Sequence, residues 1–240
     1  MSFLYLVVIA AMIGIFISVF ILMKRFKNEM ITNIVFCAIV FICYFFVVLI
    51  AYIQNGPSDW NFLNTLPTAN VSPFMFTVSP LFFVLPKQIR KYFATLIALL
   101  VVGMILSPTF SCIYNFSISY KFHFSFLLNY ISHLALALWG VYLVRTKQCE
   151  LKLKNCLIGG SIIVVVALIM MLLNVILDKS FFGLSLNGKH NIYNIVLTKN
   201  SYLSAVLYFS GLIVVMVSSY FFQKLLLFIS NRSKKKEGQE

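Results

Sequence analysis

The run FHFSFLLNYISHLALALWGVYLV, residues 122–144, is the strongest structural signal in this chain. It is as long and as apolar as a membrane-crossing helix, which needs about 20 apolar residues. A histidine, His133, lies at its midpoint, and no charged side chain or other histidine lies so deep in any other apolar run. Because an ionisable side chain in the hydrocarbon core is costly, His133 is the first candidate for a functional residue.

The rest of the chain has the same membrane character. Its 240 residues are 61% hydrophobic and 10% charged, whereas a soluble domain carries roughly 25% charged residues. The third of the apolar segments is the shortest, and Pro80 interrupts it. We predict an all-α fold, a polytopic transmembrane helix bundle of about seven spans over residues 1–230, with a basic tail over residues 231–240. The predicted spans are residues 3–23, 31–53, 71–86, 92–113, 123–144, 156–177 and 201–229.

The distribution of basic residues predicts the orientation of the bundle. Fifteen of the 19 Lys and Arg residues fall on one side, within residues 24–27, 87–91, 145–154 and 224–236. The positive-inside rule places that side in the cytoplasm, so the N-terminus is predicted outside and the C-terminus cytoplasmic. The net charge of +13 then indicates contact with anionic lipid headgroups and no nucleic-acid partner.

The predicted location is the plasma (inner) membrane of a bacterium, as a multi-pass protein. Phe, Ile, Lys and Asn are abundant in the chain, which is typical of an AT-rich bacterial genome. Nothing in the sequence identifies a protein partner.

One face of the predicted fifth span is polar. Ser125, Asn129, Ser132, His133 and Gly140 follow a spacing that places them on one stripe of a helix. Small and polar residues on one stripe are typical of a face that packs on other helices or lines a cavity. Asn129 lies one turn before His133 and is predicted to orient the imidazole. The alternative is a histidine that is hydrogen-bonded inside the bundle and has no chemical role.

The predicted third span contains two prolines, Pro73 and Pro80, which predict a bent helix with freed backbone carbonyls. Thr77 and Ser79 are placed to satisfy those carbonyls. Alternatively, the Thr77 hydroxyl faces the polar stripe around His133.

The sequence has no catalytic motif of the kind that soluble enzymes carry. The five cysteines form no CxxC pair and have no metal-type spacing to a histidine, so we interpret them as small apolar side chains. There is no P-loop, no GxSxG, no HExxH and no acidic pair in a span. The sequence predicts no metal site and no soluble cofactor.

Three segments carry a resemblance to a known family. Residues 123–133, HFSFLLNYISH, followed by LALALWGVY, resemble the histidine-bearing helix of YwaF-type integral membrane proteins. That family is similar to an animal multispan acyltransferase that makes ether phospholipids. Residues 73–77 resemble the family's helix with a proline and, one turn later, a cysteine. Residues 191–196, which include Tyr193, resemble the family's Asn-Tyr loop. The order and spacing of the three segments match, so the resemblance covers most of the chain.

The resemblance implies a mechanism for the animal relative, in which a membrane cysteine takes an acyl chain as a thioester with help from the histidine. His133 maps to that catalytic histidine, but Thr77 stands at the position of the cysteine. A threonine hydroxyl is a poor nucleophile unless a base activates it strongly. The resemblance therefore predicts a protein that binds or handles lipid around His133 and has lost the usual nucleophile for acyl transfer. The predicted cavity is lined by Thr77, Ser125, Asn129, Ser132 and Tyr193.

Two other functions fit the same residues. Proline-interrupted helices and a polar residue near the midplane are also typical of a small-solute transporter or a substrate-binding membrane subunit. The absence of an inverted repeat and of a carboxylate inside a span argues against that function. The third alternative is a membrane scaffold without catalysis, whose basic tail binds a partner.

Overall fold

A computed structural model of the chain describes residues 3–56, 63, 66–67, 70–117, 123–177 and 201–237. These residues form helices and contain no strand, which confirms the predicted all-α fold. The helices are α1 (Phe3–Leu22), α2 (Glu29–Asn55), α3 (Val71–Val78), α4 (Leu81–Val84), α5 (Lys87–Leu99), α6 (Val101–Ser117), α7 (Phe124–Arg145), α8 (Leu153–Leu177) and α9 (Ser201–Glu237). Helix α9 runs without interruption past residue 231, the predicted start of the tail.

Six stretches of the described chain are long and apolar enough to cross a membrane, so the architecture is that of a multi-pass membrane protein. Large apolar side chains such as Phe3, Ile53 and Phe221 are more than half exposed on the outside of the bundle. Such a surface is stable in lipid and unfavourable in water. The six stretches are Phe3–Arg25, Glu29–Gln54, Lys87–Ile113, Phe124–Arg145, Leu153–Asn174 and Ala205–Arg232.

The predicted third span is not among these six, because it is divided into the short helices α3 and α4. The division falls at Ser79 and Pro80, and Pro80 has no N–H to donate to the Phe76 carbonyl. The Ser79 hydroxyl donates to that carbonyl instead, at 2.8 Å. Thr77 Oγ1 donates to the Pro73 carbonyl at 3.0 Å. The prediction is therefore confirmed for Ser79, which satisfies the carbonyl that Pro80 frees. Thr77 bonds a carbonyl of its own helix that neither proline frees.

Helix α7 lies at the centre of the bundle, and its residues from Ser132 to Val144 are all buried. It approaches the backbone of α5 closely at Gly140. A Cβ atom on Gly140 would lie 2.6 Å from Val101 Cγ2 and 3.0 Å from the Ile97 carbonyl oxygen. The glycine of the polar stripe therefore packs against the junction of α5 and α6, as small residues do between membrane helices.

The predicted fourth span is interrupted at Leu100, between α5 and α6. In a continuous helix the Val102 N–H would donate to the Ala98 carbonyl. Here the Val102 N–H donates to Ser219 Oγ of α9 at 2.9 Å, and Gln223 Nε2 donates to the Ala98 carbonyl at 3.5 Å. Ser219 and Gln223 lie one turn apart on α9, so this helix replaces the missing backbone bond from outside.

We expect Ser219→Ala to lower the free energy of unfolding by roughly 1–3 kcal/mol, because it leaves the half-buried Val102 N–H without its partner. Ser210→Ala, which removes an exposed hydroxyl from the same helix, is the matched control and should change stability by less than about 0.5 kcal/mol. Denaturant unfolding in detergent micelles measures both changes. Equal, small effects of the two substitutions would show that the interrupted helix does not depend on α9.

Candidate functional site

His133 is 4% exposed and lies in the buried half of α7. Its ring atom Nδ1 is 2.8 Å from the Asn129 carbonyl oxygen. Because a carbonyl only accepts hydrogen bonds, Nδ1 carries the proton, and Nε2 of the neutral ring is an acceptor. Asn129 therefore orients the imidazole through its backbone carbonyl.

Helix α3 covers the histidine with an aromatic ring. The Phe76 ring stands edge to face against the His133 ring, with centroids 4.8 Å apart and planes at 84°. Phe76 is itself fully buried and also packs on Tyr44 of α2, with ring centroids 5.5 Å apart. Within the described residues, His133 makes no second hydrogen bond. Its Nε2 therefore has no donor from these residues, while the Phe76 ring packs on the imidazole.

The Thr77 hydroxyl is engaged away from the histidine. It donates to the Pro73 carbonyl of its own helix and is hydrogen-bonded to the side chain of Tyr44. In the described part of the chain, the α3 residue in ring contact with His133 is Phe76, and no hydrogen bond joins Thr77 to His133. An engaged hydroxyl without a neighbouring base is not an activated nucleophile.

The other residues of the predicted site are placed at different depths of α7. Ser132 is buried beside His133, and its hydroxyl donates to the Leu128 carbonyl at 3.0 Å. Ser125 and Asn129 are half-buried nearer the start of the helix. Tyr193 lies outside the described residues. The structure thus keeps one polar stripe on α7, whose buried hydroxyl is already bonded to its own helix.

A second cluster of polar side chains, which was not predicted from the sequence, joins α2 to the end of α7 through hydrogen bonds. Trp139 Nε1 donates to Asn33 Oδ1 at 2.9 Å, and Asn33 Nδ2 donates to Gln148 Oε1 at 2.7 Å. Gln148 Nε2 in turn donates to Thr146 Oγ1 at 2.9 Å. The sequence signal was the lone amide Asn33 near the start of an apolar segment, but its partners are more than 100 residues away.

The cysteines of the described chain behave as small apolar side chains. Cys37, Cys112 and Cys149 are buried. Burial, with a smaller contribution from nearby Cys156, raises the pKa of the Cys149 thiol to about 12, so this thiol stays protonated and unreactive. Among the described residues there is no group of three His, Cys, Asp or Glu side chains that would hold a metal ion.

The resemblance to YwaF-type proteins stays a prediction from three sequence segments. A comparison of the chain with protein-family models, with curated proteins and with solved structures finds no match.

Proposed function

We propose that this chain is a lipid-binding or lipid-handling integral membrane protein of the YwaF type, and that His133 is the residue that contacts the lipid. The proposal depends on one observation: His133 is buried in a membrane-length helix, and its Nε2 has no donor within the described residues. An imidazole acceptor inside a helix bundle gains a hydrogen bond when a donor is brought next to it. A lipid hydroxyl or a protonated acyl carboxyl group would supply that donor.

Binding is favoured over acyl transfer because the described site holds no activated nucleophile. The hydroxyls of Thr77 and Ser132 both donate to carbonyls of their own helices. Attack on an acyl group would require one of them to give up that bond and to transfer its proton to His133. We therefore assign His133 a role in lipid binding. Acyl transfer is not part of the proposal, because the site has no activated nucleophile.

The proposed topology has seven crossings of a bacterial plasma membrane, with α3 and α4 together forming the third. Phe76 of α3 packs on His133, and Phe82 of α4 packs on Trp139, with ring centroids 5.1 Å apart. The six residues from His133 to Trp139 correspond to about 9 Å of helix. The segment therefore runs alongside α7 in the same direction, which supports a crossing made of two short helices.

Contacts between the connections support the proposed orientation, with the N-terminus outside and the C-terminus cytoplasmic. We call residues 20–33, 85–91 and 145–153 the basic end of the bundle. There, Arg145 Nη1 donates to the Phe20 carbonyl at 2.8 Å. The ammonium of Lys152, 2.7 Å away, and to a smaller extent the charge of Lys91 hold the pKa of Glu150 below its usual range. Three cation-rich connections thus meet at one end, as the positive-inside rule requires of a cytoplasmic face.

The test is mass spectrometry of the lipids that remain on the detergent-purified protein, wild type against His133→Ala. We expect the wild type to retain a defined lipid species. The variant should retain roughly tenfold less of that lipid, because the substitution removes one hydrogen bond inside the membrane. His123→Ala removes an exposed histidine next to the same helix and serves as the control.

The interpretation requires that His133→Ala elutes as the same species as the wild type and unfolds in one transition. An identical lipid profile of wild type and His133→Ala would overturn the proposal and leave His133 as a structural residue. Loss of the same lipid from His123→Ala would assign the lipid to the outer surface.

The small-solute transporter is the second candidate, because of the interrupted helix at Leu100. Discontinuous helices near the membrane centre form the binding sites of many transporters. Here, however, the freed backbone groups of Val102 and Ala98 are occupied by Ser219 and Gln223. Solute uptake into reconstituted vesicles, with no lipid retained at His133, would favour this candidate.

A further inference from the structure

The His133 ring is closed to a molecule of the size of a lipid. Its residue is 4% exposed, and the Phe76 ring of α3 packs on it edge to face, with the ring centroids 4.8 Å apart. Phe76 is itself fully buried. A lipid hydroxyl therefore reaches His133 only when an element next to the histidine moves.

Helix α3 is the neighbour of His133 that is best suited to move. It has eight residues, of which only Met75 and Phe76 are buried, and it packs on α7 far less extensively than α2 does. Helix α4 is held more firmly, because the guanidinium of Arg90 donates to the carbonyls of Phe83 and Leu85 at its end. Elements with few buried contacts open locally at a low cost in free energy. Movement is therefore expected in α3 and not in α4.

The junction between α3 and α4 provides the pivot for this movement. Pro80 has no N–H, so the Phe76 carbonyl accepts its hydrogen bond from Ser79 Oγ, at 2.8 Å, and not from the helix backbone. Helices bend at such positions. Opening costs the ring contacts of Phe76 and the hydrogen bond between Thr77 and Tyr44. The backbone bond from residue 80 that would resist bending is absent.

We propose that α3 is a gate for lipid. In the closed state Phe76 covers His133, and in the open state α3 has swung about Ser79 and Pro80, so that a lipid hydroxyl can donate to His133 Nε2. The identity of the ligand rests on the proposed function. The movement does not depend on the ligand, so it is measured separately.

The first measurement is the rate at which diethyl pyrocarbonate, a reagent that acylates neutral imidazole, modifies His133 in the detergent-solubilised full chain. Phe76→Ala should raise this rate about tenfold, because one edge-to-face ring pair is lost from the closed state. Phe74→Ala removes a half-buried ring from the same helix and should stay within about twofold of wild type. The exposed His123 is the internal reference for the reagent in every sample.

The second measurement locks the gate with a disulfide. Ser79→Cys places a thiol beside Cys37 of α2, since Cys37 Sγ and Ser79 Oγ are 3.6 Å apart, and a disulfide needs about 2 Å between its sulfur atoms. Oxidation with copper phenanthroline would fix the pivot one turn after Phe76. His133 should then react at least about tenfold more slowly than in the reduced form of the same variant. Ser79→Cys combined with Cys37→Ala, treated identically, controls for the other cysteines.

Entry of lipid is followed with dioleoylglycerol, a lipid with one free hydroxyl, by native mass spectrometry at timed intervals. The reduced form of Ser79→Cys should take up dioleoylglycerol about tenfold faster than the oxidised form, in parallel with the reaction of His133. His133→Ala should bind less dioleoylglycerol than wild type, since it removes the acceptor.

The outcomes separate the gate from the proposed lipid binding. Equal reaction rates of His133 in the oxidised and reduced forms, or in Phe76→Ala and Phe74→Ala, would overturn the gate, whatever lipid the protein binds. Reaction rates that change as expected, with no dioleoylglycerol on the wild type, would support the gate and contradict binding of a hydroxyl lipid at His133. If Phe76→Ala does not fold, the two forms of Ser79→Cys decide alone.

Discussion

Replacing Trp139 with alanine is expected to lower the free energy of unfolding by about 3–5 kcal/mol, the usual cost of removing a large buried aromatic side chain. Trp139 is fully buried, and the rings of Phe82 and Phe83 pack on it with centroids 5.1 and 6.5 Å away. The substitution also removes the N–H donor to Asn33 Oδ1. It therefore opens a cavity where α4 meets α7 and leaves a buried amide oxygen without its donor.

Denaturant unfolding in detergent, followed by far-ultraviolet circular dichroism, measures this loss. Trp139→Phe should recover most of the packing and still cost roughly 1–2 kcal/mol for the lost N–H donor. Phe221→Ala, at a ring that is 65% exposed on α9, is the control for removal of an aromatic ring and should have little effect. A loss at Phe221→Ala as large as that at Trp139→Ala would contradict the packing described here.

Gly140→Ala should destabilise the protein by about 1–3 kcal/mol, as overpacking of a close helix contact does. In most exposed helix positions the same change is favourable by about 1 kcal/mol, because glycine is a poor helix former. At Gly140 the new methyl group would meet the backbone at Ile97 and Ala98, at 3.0 and 3.2 Å. Since backbone atoms cannot rotate away as side chains can, α7 would have to move from α5.

Gly14→Ala is the matched control, because a Cβ at Gly14 would have no neighbour within 4 Å. We expect opposite signs from the two substitutions in thermal unfolding of the detergent-solubilised protein, with a lower midpoint for Gly140→Ala and an equal or higher one for Gly14→Ala. Gly140→Leu should be worse than Gly140→Ala. A stabilised Gly140→Ala variant would show that α7 and α5 are not in close contact there.

The class of fold and the position of the buried histidine were predictable from local composition. A run of about 20 apolar residues satisfies its own backbone as a helix in lipid, whatever the rest of the chain does. The long apolar segments at the N-terminus, around His133 and near the C-terminus are accordingly spanning-length helices. The roles of Thr77 and Ser79 were also local, because each hydroxyl bonds a carbonyl three or four residues before it.

Other features depend on partners that are distant in the sequence. The interruption at Leu100 carries no proline or glycine of its own, and it persists because Ser219 and Gln223 replace the backbone bond from α9. In the sequence Asn33 is a single amide in an apolar segment, and only the folded bundle brings its partners Trp139 and Gln148 into hydrogen-bonding distance. Phe76 gives no sign in the sequence that it packs on His133.

The sequence by itself determines the lengths of the helices, the membrane character of the protein and the position of a histidine deep in a span. Each of these is a property of a single segment in contact with lipid. The central position of helix α7 and the ring contact between Phe76 and His133 arise only when the segments pack together. The physical reason is that lipid favours every apolar helix almost equally. The arrangement of the helices is therefore selected by close contacts such as Gly140 and by a few polar side chains that find partners only in the bundle.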